Sequence, residues 1–340
     1  MNIVIVGLGN VGEHYFELLK NNRKIKNIYI IENNYIQRKN KNYEFINLKQ
    51  VNNKFKIDYA IICTPSGSHY RYAKFFLSKK IPTLIEKPFV ISLKHSKELI
   101  KLKTKNRTKC WVAFQNRYNK SIIQGKKILE KKRFGKTFFV DAALYWHRNK
   151  KYYSTSWRGK YRTDGGVLFN QSIHLLDVII YFFGKIKNFN VVAGFSKDKL
   201  QAEDLISVNL NHTNKVISNL KATTRANRDY RMSIDVLCEK GRFLIKGISL
   251  NKIFYFNENN LQNDVKNSEN FKLGLGPRSG MGNGHKKLLL DFLNKNKNKS
   301  EKKLDIENNK YVLEIIHSIY TAIFKKDNYQ VVKDKEFKVK

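Results

Sequence analysis

The chain contains few of the residues that mark specialised protein classes. Its 340 residues include four prolines, three cysteines, three methionines and three tryptophans. So few prolines exclude a collagen-like or proline-rich architecture. The cysteines, Cys63, Cys110 and Cys238, show no C-x-x-C spacing and have no histidine cluster beside them. We therefore expect buried thiols in a reducing compartment, and we predict no metal site.

Long apolar stretches are also missing. The apolar run at residues 178–183 is much shorter than the roughly 20 residues that a membrane helix needs. The chain starts with strand-like residues 3–6 and a glycine turn, without a basic leader before them. We therefore expect a cytoplasmic protein with no signal peptide and no membrane partner.

Acidic residues are scarce relative to basic ones. The chain has 28 Asp and Glu against 66 Lys and Arg, which gives a formal net charge of +38. Such a balance is typical of proteins that bind nucleic acids or anionic membranes. The basic residues are, however, mainly lysines spread along the whole chain, whereas proteins that read nucleic acids rely on arginine. We therefore expect no specific nucleic-acid partner, and a positive field that favours an anionic small-molecule substrate.

The hydrophobic pattern changes at about residue 118. Before this point, short apolar runs alternate with helical segments, which predicts a parallel sheet covered on both faces. After it, longer alternating segments predict half-buried antiparallel strands, interrupted by a strongly apolar helix at 166–183. We therefore predict an α/β protein, with a doubly wound Rossmann domain at 1–118 and an α+β domain with a mostly antiparallel open sheet at 119–340.

A glycine-rich motif, Gly7-Leu8-Gly9-Asn10-Val11-Gly12, follows the first predicted strand and opens the first predicted helix. This is the context that the G-x-G-x-x-G dinucleotide fingerprint requires. Gly7 would permit the tight turn, Gly9 the close approach of a pyrophosphate, and Gly12 the packing of helix on strand. Asn10 and Val11 begin the helix, whose N-terminal N–H groups and dipole would favour the phosphates.

An acidic residue, Glu32, ends the second predicted strand, about 20 residues after the glycine motif. A carboxylate at this place would bind ribose hydroxyls and repel a 2′-phosphate, which predicts NAD as the cofactor. Arg38 and Lys39 lie nearby and could offset the acid, so NADP stays open as the less favoured alternative.

Two further motifs follow predicted strands at their carboxyl ends, where sheets of this kind bind ligands. Thr64-Pro65, with His69 shortly after, would form a turn against the cofactor. In Glu86-Lys87-Pro88, a lysine placed between a strand end and a proline is poorly explained by packing, and it could hydrogen-bond a substrate hydroxyl. The candidates for the cofactor site are Thr64, Pro65, His69, Glu86 and Lys87, and Lys87 is also a catalytic candidate.

The apolar helix predicted at 166–183 carries a polar group near its start. Asn170 and His174 are four residues apart and would share one helical face. Asp177, three residues further on, could orient the His174 imidazole. A polar pair in an apolar helix, just after two glycines, is a better catalytic candidate than a histidine buried in a core.

These motifs, in this order, resemble the Gfo/Idh/MocA oxidoreductase family along the whole chain. The resemblance implies an NAD(P)-dependent dehydrogenase in which Lys87 and His174 work at the hydroxyl being oxidised. It also implies a homo-oligomer, a dimer or tetramer, built through the open sheet of the second domain. The family often has an aspartate where this chain has Asn170. An amide cannot act as a base, so the proton falls to His174 or Lys87, with Asn170 as a substrate ligand.

Three further segments resemble one branch of that family, the nucleotide-sugar dehydrogenases of surface-polysaccharide synthesis that oxidise C3 of UDP-N-acetyl-glucosaminuronate. They are Phe114-Gln115-Asn116-Arg117-Tyr118-Asn119, Tyr152-Tyr153 with Trp157-Arg158-Gly159, and Asn170-Gln171. Arg117 and Arg158 could bind a carboxylate or diphosphate, and Trp157 and Tyr153 could cover a sugar or base. The alternative places Trp157 in the core and Arg158 on the surface. The predicted substrate residues are Gln115, Arg117, Trp157, Arg158, Asn170 and His174.

The predicted function is the NAD-dependent oxidation of a secondary hydroxyl of an anionic sugar or nucleotide sugar, in surface-polysaccharide sugar biosynthesis. Three alternatives stay open. The chain could act on free sugars or inositols, it could be a dinucleotide-binding protein without catalysis, or it could bind nucleic acid through its charge.

Overall fold

The computed structural model describes residues 1–32, 43–196, 201–257, 260–269, 281–294 and 303–325, and the backbone of 329–333. Arg38 and Lys39 lie outside these residues. The chain forms two compact units. The first comprises Met1–Phe114, Gly274–Ser279 and His285–Tyr311, and the second comprises Gln115–Leu273, Gly280–Gly284 and Val312–Lys340.

The first unit is built on a parallel sheet of six strands in the order β3-β2-β1-β4-β5-β6. The side chains of β1 from Ile3 to Val6 are completely buried, because helices cover both faces of the sheet. The Rossmann sheet predicted from the sequence is thereby confirmed. The strands are β1 (Asn2–Val6), β2 (Asn27–Ile31), β3 (Glu44–Phe45), β4 (Tyr59–Ile62), β5 (Thr83–Ile85) and β6 (Cys110–Val112), and the helices are α1 (Asn10–Leu19), α2 (His69–Ser78) and α3 (Leu93–Lys105).

The second unit is built on a nine-stranded, mostly antiparallel sheet, as predicted. Its order is β14-β13-β12-β11-β7-β10-β9-β8-β15, and only the pairs β7–β10 and β8–β15 are parallel. The strands are β7 (Thr137–Tyr145), β8 (Ile186–Phe195), β9 (Leu205–His212), β10 (Ile217–Thr223), β11 (Arg231–Cys238), β12 (Gly241–Lys246), β13 (Lys252–Asn257), β14 (Asn260–Asn263) and β15 (Tyr329–Lys333).

Successive side chains along each strand point to opposite faces of this second sheet, one mainly apolar and one more polar. Ile234 pairs with Ala142 on the buried apolar face, where both side chains are fully covered. The neighbouring register pair on the other face is Asp141 and Asp235. Two carboxylates directly opposite each other repel, and Lys221 Nζ offsets this by lying 2.7 Å from Asp141 Oδ1.

The helix predicted at 166–183 is interrupted. It is divided into α6 (Val167–Asn170) and α7 (Ile173–Phe183), which follow α4 (Lys120–Glu130) and α5 (Lys150–Tyr153). Ser172 N and Ser172 Oγ both donate to Val167 O, at 2.8 and 3.0 Å, and Leu176 N donates to Ser172 O. The prediction of one continuous helix was therefore wrong, because a serine hydroxyl competes with the helical ladder. Asn170 ends one helix, and His174 lies in the first turn of the next.

The last two described helices are α8 (Gly284–Phe292) and α9 (Ile306–Lys325). The sequence assigned residues 285–294 and 303–311 to the second domain, whereas in the structure they belong to the first unit. Phe292 lies with its ring centroid 5.5 Å from that of Tyr59, and Asp305 accepts a hydrogen bond from Lys103 Nζ at 2.7 Å. Among the described helices, none has both the length and the apolar composition to cross a membrane.

Candidate cofactor and substrate sites

The glycine motif forms a tight turn between β1 and α1. Gly7 has a φ of 89°, and a Cβ on it would lie 2.9 Å from Thr64 N. A Cβ on Gly12 would collide with Gly7 O. Gly9, in contrast, precedes α1, and a Cβ there would meet nothing within 4 Å. Gly7 and Gly12 therefore let the chain pack on itself, while Gly9 leaves space at the helix N-terminus.

The N-terminus of α1 has the features of a phosphate-binding site. Asn10 and Val11 begin the helix, and no side chain caps their N–H groups. An oxyanion placed beside Gly9 would satisfy these N–H groups and interact favourably with the helix dipole. The pyrophosphate of a dinucleotide therefore fits this cradle.

Glu32 lies where β2 ends and is tied to the glycine loop. Its Oε2 accepts a hydrogen bond from Leu8 N at 2.8 Å. This contact holds the carboxylate next to the loop, at the place where the adenosine ribose lies in a Rossmann fold. Glu32 is therefore suited to bind the ribose hydroxyls of NAD.

The loops that follow β4 and β5 are joined by His69. This residue is buried, with Nε2 2.7 Å from Thr64 O and Nδ1 2.8 Å from Pro88 O. Burial lowers the pKa of the imidazole. Pro65 is exposed at the turn. His69 thus contacts the backbone of both loops. Direct contact of Thr64, Pro65 or His69 with a cofactor stays a prediction.

Glu86 and Lys87 occupy different environments. Glu86 is buried, and its Oε1 accepts a hydrogen bond from Tyr15 Oη at 2.9 Å. His285 Nε2 lies 3.8 Å from the same oxygen. Burial raises the pKa of the Glu86 carboxyl. Lys87 is partly exposed at the end of β5, so its side chain is the one that a ligand can reach.

Arg117 is engaged inside the second unit. It is buried, and its Nε and Nη2 donate to Asp177 Oδ2 and Oδ1 at 3.0 and 2.5 Å. Its guanidinium also lies 5.0 Å from the ring centroid of Tyr181. Asp177, expected to orient His174, therefore forms a bidentate ion pair with Arg117. Substrate binding by Arg117 stays a prediction, as does that by His174, which is buried in the first turn of α7.

Gln115 precedes Arg117 in the 3₁₀ turn Gln115–Tyr118. Its Oε1 is buried and has no hydrogen-bond partner among the residues that the structure describes. A buried amide oxygen without a donor is costly, so a ligand that brings a hydroxyl or an N–H would be stabilised there.

Three predicted substrate residues meet around one aromatic ring. The Arg158 guanidinium carbon lies 3.7 Å from the ring centroid of Tyr152 and 4.9 Å from that of Trp157. Asn170 Nδ2 lies 3.4 Å from Tyr152 Oη, which also accepts a hydrogen bond from Gln171 at 3.1 Å. We call Tyr152, Trp157, Arg158 and Asn170 the arginine–aromatic cluster. Trp157 and Arg158 therefore pack on each other, so neither simple alternative, core tryptophan or surface arginine, describes them.

The sequence reasoning missed Asp164. This carboxylate is buried, and it accepts hydrogen bonds from Asn170 Nδ2 at 2.5 Å and from Gly159 N at 3.0 Å. It therefore supplies an acid beside the position where the family often has aspartate and this chain has Asn170. The available signal was an acidic residue directly before Gly165 and Gly166.

A parallel sheet with a glycine turn, an uncapped helix N-terminus and an acid at the end of β2 defines a Rossmann-type dinucleotide-binding protein. Comparison with protein families specifies the class further. The NAD-binding Rossmann fold of the oxidoreductase family matches residues 1–114, and the GFO/IDH/MocA C-terminal domain matches residues 122–244. The chain belongs to the Gfo/Idh/MocA oxidoreductase family, and residues 1–114 are the NAD-binding Rossmann domain of that family.

Similar proteins include both curated and solved examples. The uncharacterized oxidoreductase YhhX of Escherichia coli is 26% identical over 206 residues, which cover 59% of this chain and 56% of YhhX. The chain thus matches about half the length of such curated relatives. The WlbA dehydrogenase from Bordetella pertussis, solved with NADH and UDP-GlcNAcA, has a TM-score of 0.79 at 20% identity, covering 96% of this chain and 97% of WlbA.

Levoglucosan dehydrogenase, solved with NADH and levoglucosan, has a similar fold. Its TM-score is 0.77 at 14% identity, and the alignment covers 96% of this chain and 98% of that protein. One fold neighbour therefore holds an anionic nucleotide sugar and another a neutral anhydrosugar.

Proposed function

We propose that this protein oxidises a secondary hydroxyl of an anionic nucleotide sugar, of the UDP-N-acetyl-glucosaminuronate class, with NAD. The arginine–aromatic cluster carries the proposal. A guanidinium in contact with two aromatic rings is held in place, and it can bind a carboxylate or diphosphate with both arms. The rings of Tyr152 and Trp157 offer apolar faces for a sugar or base. The ligand of the WlbA dehydrogenase has this chemistry.

The residues of the two units have separate tasks in the proposed reaction. NAD, when bound at the α1 N-terminus and Glu32, supplies the hydride acceptor. Lys87 and His174 polarise the substrate hydroxyl and accept its proton. Asn170 cannot accept a proton, so it binds and orients the substrate. Its amide nitrogen donates to Asp164, and this contact fixes the orientation of the amide.

The wider parts of the proposal rest on the family resemblance. They are a role in surface-polysaccharide sugar biosynthesis, a cytoplasmic location and a homo-oligomer. The three cysteines are free thiols, which is compatible with a reducing compartment. Ile217, with 44% of its side chain exposed on β10, offers apolar surface to a second copy.

A panel of sugars tests this proposal. The purified protein with NAD is offered UDP-N-acetyl-glucosaminuronate, UDP-N-acetyl-glucosamine, which lacks the carboxylate, free glucuronate, myo-inositol and levoglucosan, and NADH formation is followed. We expect turnover of the anionic nucleotide sugar, and a fall of about 10-fold or more in kcat/KM in the R158M variant. R158K keeps the positive charge but loses the planar guanidinium, so its kcat/KM should lie between those of wild type and R158M.

Two other outcomes of the panel would contradict the proposal. Preferential turnover of inositol or levoglucosan, unaffected by R158M, would establish the free-sugar alternative. Binding of NADH without oxidation of any sugar would favour a dinucleotide-binding protein without this activity.

A further inference from the structure

Three consecutive N–H groups at the start of α6 are held by residues far away in the sequence. Gly166 N donates to Tyr320 Oη at 3.1 Å, and Val167 N donates to Glu203 O at 2.8 Å. Leu168 N donates to Glu203 Oε1 at 2.9 Å. Helix N-termini are normally satisfied by a local capping side chain, and α6 has none. Glu203, just before β9, takes over this role from another part of the second unit.

Glu203 and Tyr320 act as one hydrogen-bonded pair. Tyr320 Oη donates to Glu203 Oε1 at 3.0 Å, and both side chains are buried. A Cβ on Gly166 would collide with Glu203 Oε2, so only glycine allows the carboxyl to lie against the backbone there. Gly166 is thus explained by the carboxyl group that it accommodates, whereas Gly165 has a φ of 75° and a Cβ on it would collide with Phe169.

The Glu203 carboxyl is in an environment that opposes ionisation. Its Oε2 is buried and has no hydrogen-bond partner within the described ranges. Burial, with a smaller contribution from the Asp204 charge, raises its pKa to about 8, against the contrary effect of the Leu168 and Tyr320 hydrogen bonds. Asp204 itself is paired with Arg225, at 2.6 Å. Tyr161 and Tyr320, the other titratable groups facing Glu203, are phenols whose pKa values burial also raises.

We propose that Glu203 is a positioning residue for this enzyme: with Tyr320, it fixes the start of the helical segment that ends in Asn170 and leads into His174. The inference rests on the proposed function, because Asn170 and His174 are there assigned to the substrate. Glu203 contacts the backbone of α6 and not the reacting atoms. Its effect on the reaction is therefore indirect, through the placement of those two side chains.

The contact between the Glu203 carboxyl and the start of α6 should depend on pH, because it involves the protonated carboxyl. A neutral carboxyl can lie against the Gly166 backbone, whereas an ionised one would leave a charged oxygen buried without a donor. We therefore expect kcat to fall as the pH rises above about 8. Glutamine has the same shape, keeps an oxygen that can accept from Leu168 N, and does not ionise.

The experiment compares E203Q, E203A and Y320F with Y161F as the matched control. Y320F and Y161F each remove one buried hydroxyl, but that of Tyr161 has no hydrogen-bond partner in the described part of the chain. For each protein, kcat, KM, NADH affinity and the pH profile of kcat are measured. Hydrogen exchange of the 166–170 amides is measured as well.

We expect E203A to lose about 10- to 100-fold in kcat with unchanged NADH affinity, and its 166–170 amides to exchange faster. E203Q should keep most of the activity at pH 7 and lose the fall above pH 8. Y320F should lower kcat several-fold, and Y161F should leave it unchanged. If E203A does not fold, the E203Q profile and the Y320F–Y161F pair still decide the question.

Three results would overturn the inference. They are unchanged hydrogen exchange at 166–170 in E203A and Y320F, an E203Q profile that keeps the alkaline fall, or equal effects of Y320F and Y161F. The exchange measurement needs no substrate. A wild-type protein that oxidises no sugar would therefore refute the proposed function, while the anchoring of α6 by Glu203 is still tested.

Discussion

Asn170 illustrates how a single side chain acquires its role from its neighbours. Its amide nitrogen is held by Asp164 and lies near the hydroxyl of Tyr152, whose ring contacts the guanidinium of Arg158. Each polar group in this cluster therefore sets the orientation of the next. Arg117, with the same chemistry as Arg158, is instead paired with Asp177.

Removal of the Asp164 carboxylate tests this view. In D164A, Asn170 Nδ2 and Gly159 N lose their acceptor, so we expect a rise of about 10-fold in the KM for the sugar with little change in NADH affinity. D164N keeps one acceptor oxygen and should show a smaller effect. Steady-state kinetics of both variants are the measurement, and equal kinetics of D164A and wild type would show that Asn170 needs no such support.

Lys87 is the residue whose loss should affect chemistry most. Methionine keeps the length of the side chain but removes the ammonium group that is proposed to act on the hydroxyl. We expect K87M to lose about 100-fold or more in kcat while NADH affinity persists. Lys74, exposed on α2, provides the control, because K74M should change neither value. Turnover by K87M at the wild-type rate would remove Lys87 from the mechanism.

In the turn between β1 and α1, Gly9 bears on cofactor binding, whereas Gly12 bears on the stability of the fold. A Cβ on Gly9 meets only open space, whereas one on Gly12 meets the backbone of Gly7. We expect G9A to keep the wild-type melting temperature and to bind NADH at least several-fold more weakly, since the methyl group occupies the place of the pyrophosphate. G12A should lower the melting temperature by several degrees. Thermal unfolding and NADH titration of both variants are the measurements. Equal changes in melting temperature and NADH affinity in G9A and G12A would contradict this prediction.

The burial of Glu203 against α6 also predicts how the free energy of unfolding changes with pH. The pKa of Glu203 is about 8 in the folded protein and near its ordinary value of 4.5 when unfolded. Between these values the folded state holds a proton that the unfolded state has released, so the free energy of unfolding falls as the pH rises from 4.5 to 8. The contribution is fully present below pH 4.5 and is on the order of a few kcal/mol.

Urea unfolding at pH 5, 6.5 and 8 is the measurement that checks this linkage. Wild type should lose more stability over this range than E203Q, whose amide does not titrate. If the free energy of unfolding changed equally with pH in wild type and E203Q, Glu203 would be ionised in the folded state.

Much of the element pattern could be predicted from the sequence, but its tertiary contacts could not. Continuous apolar runs and alternating runs distinguish the two sheets, because burial on one or two faces leaves a local pattern. The break at Ser172 depends on one hydroxyl, and the Glu203 contacts join residues 35 and 117 positions apart. Such contacts leave no local periodicity, so Glu203 was missed. The strands β3, β13, β14 and β15 were not predicted from the sequence either.

At the scale of the whole molecule, the net charge of +38 bears on substrate binding. A positive field attracts anions, and salt screens it over about 8 Å at physiological ionic strength. We expect the KM for an anionic nucleotide sugar to rise several-fold when salt increases from about 50 to about 500 mM, while kcat changes little. A neutral polyol is the control, and its KM should be insensitive. Equal salt dependence for both would argue against a role of the charge in substrate capture.

The proposed function requires that a hydride leave a secondary carbon of an anionic nucleotide sugar and reach the cofactor. UDP-N-acetyl-glucosaminuronate carrying deuterium at C3 tests this step, with mass analysis of the reduced cofactor. We expect the reduced cofactor to contain the deuterium, and K87M to transfer none at a comparable rate. Reduced cofactor without the label, or no reduction at all, would contradict the proposed function.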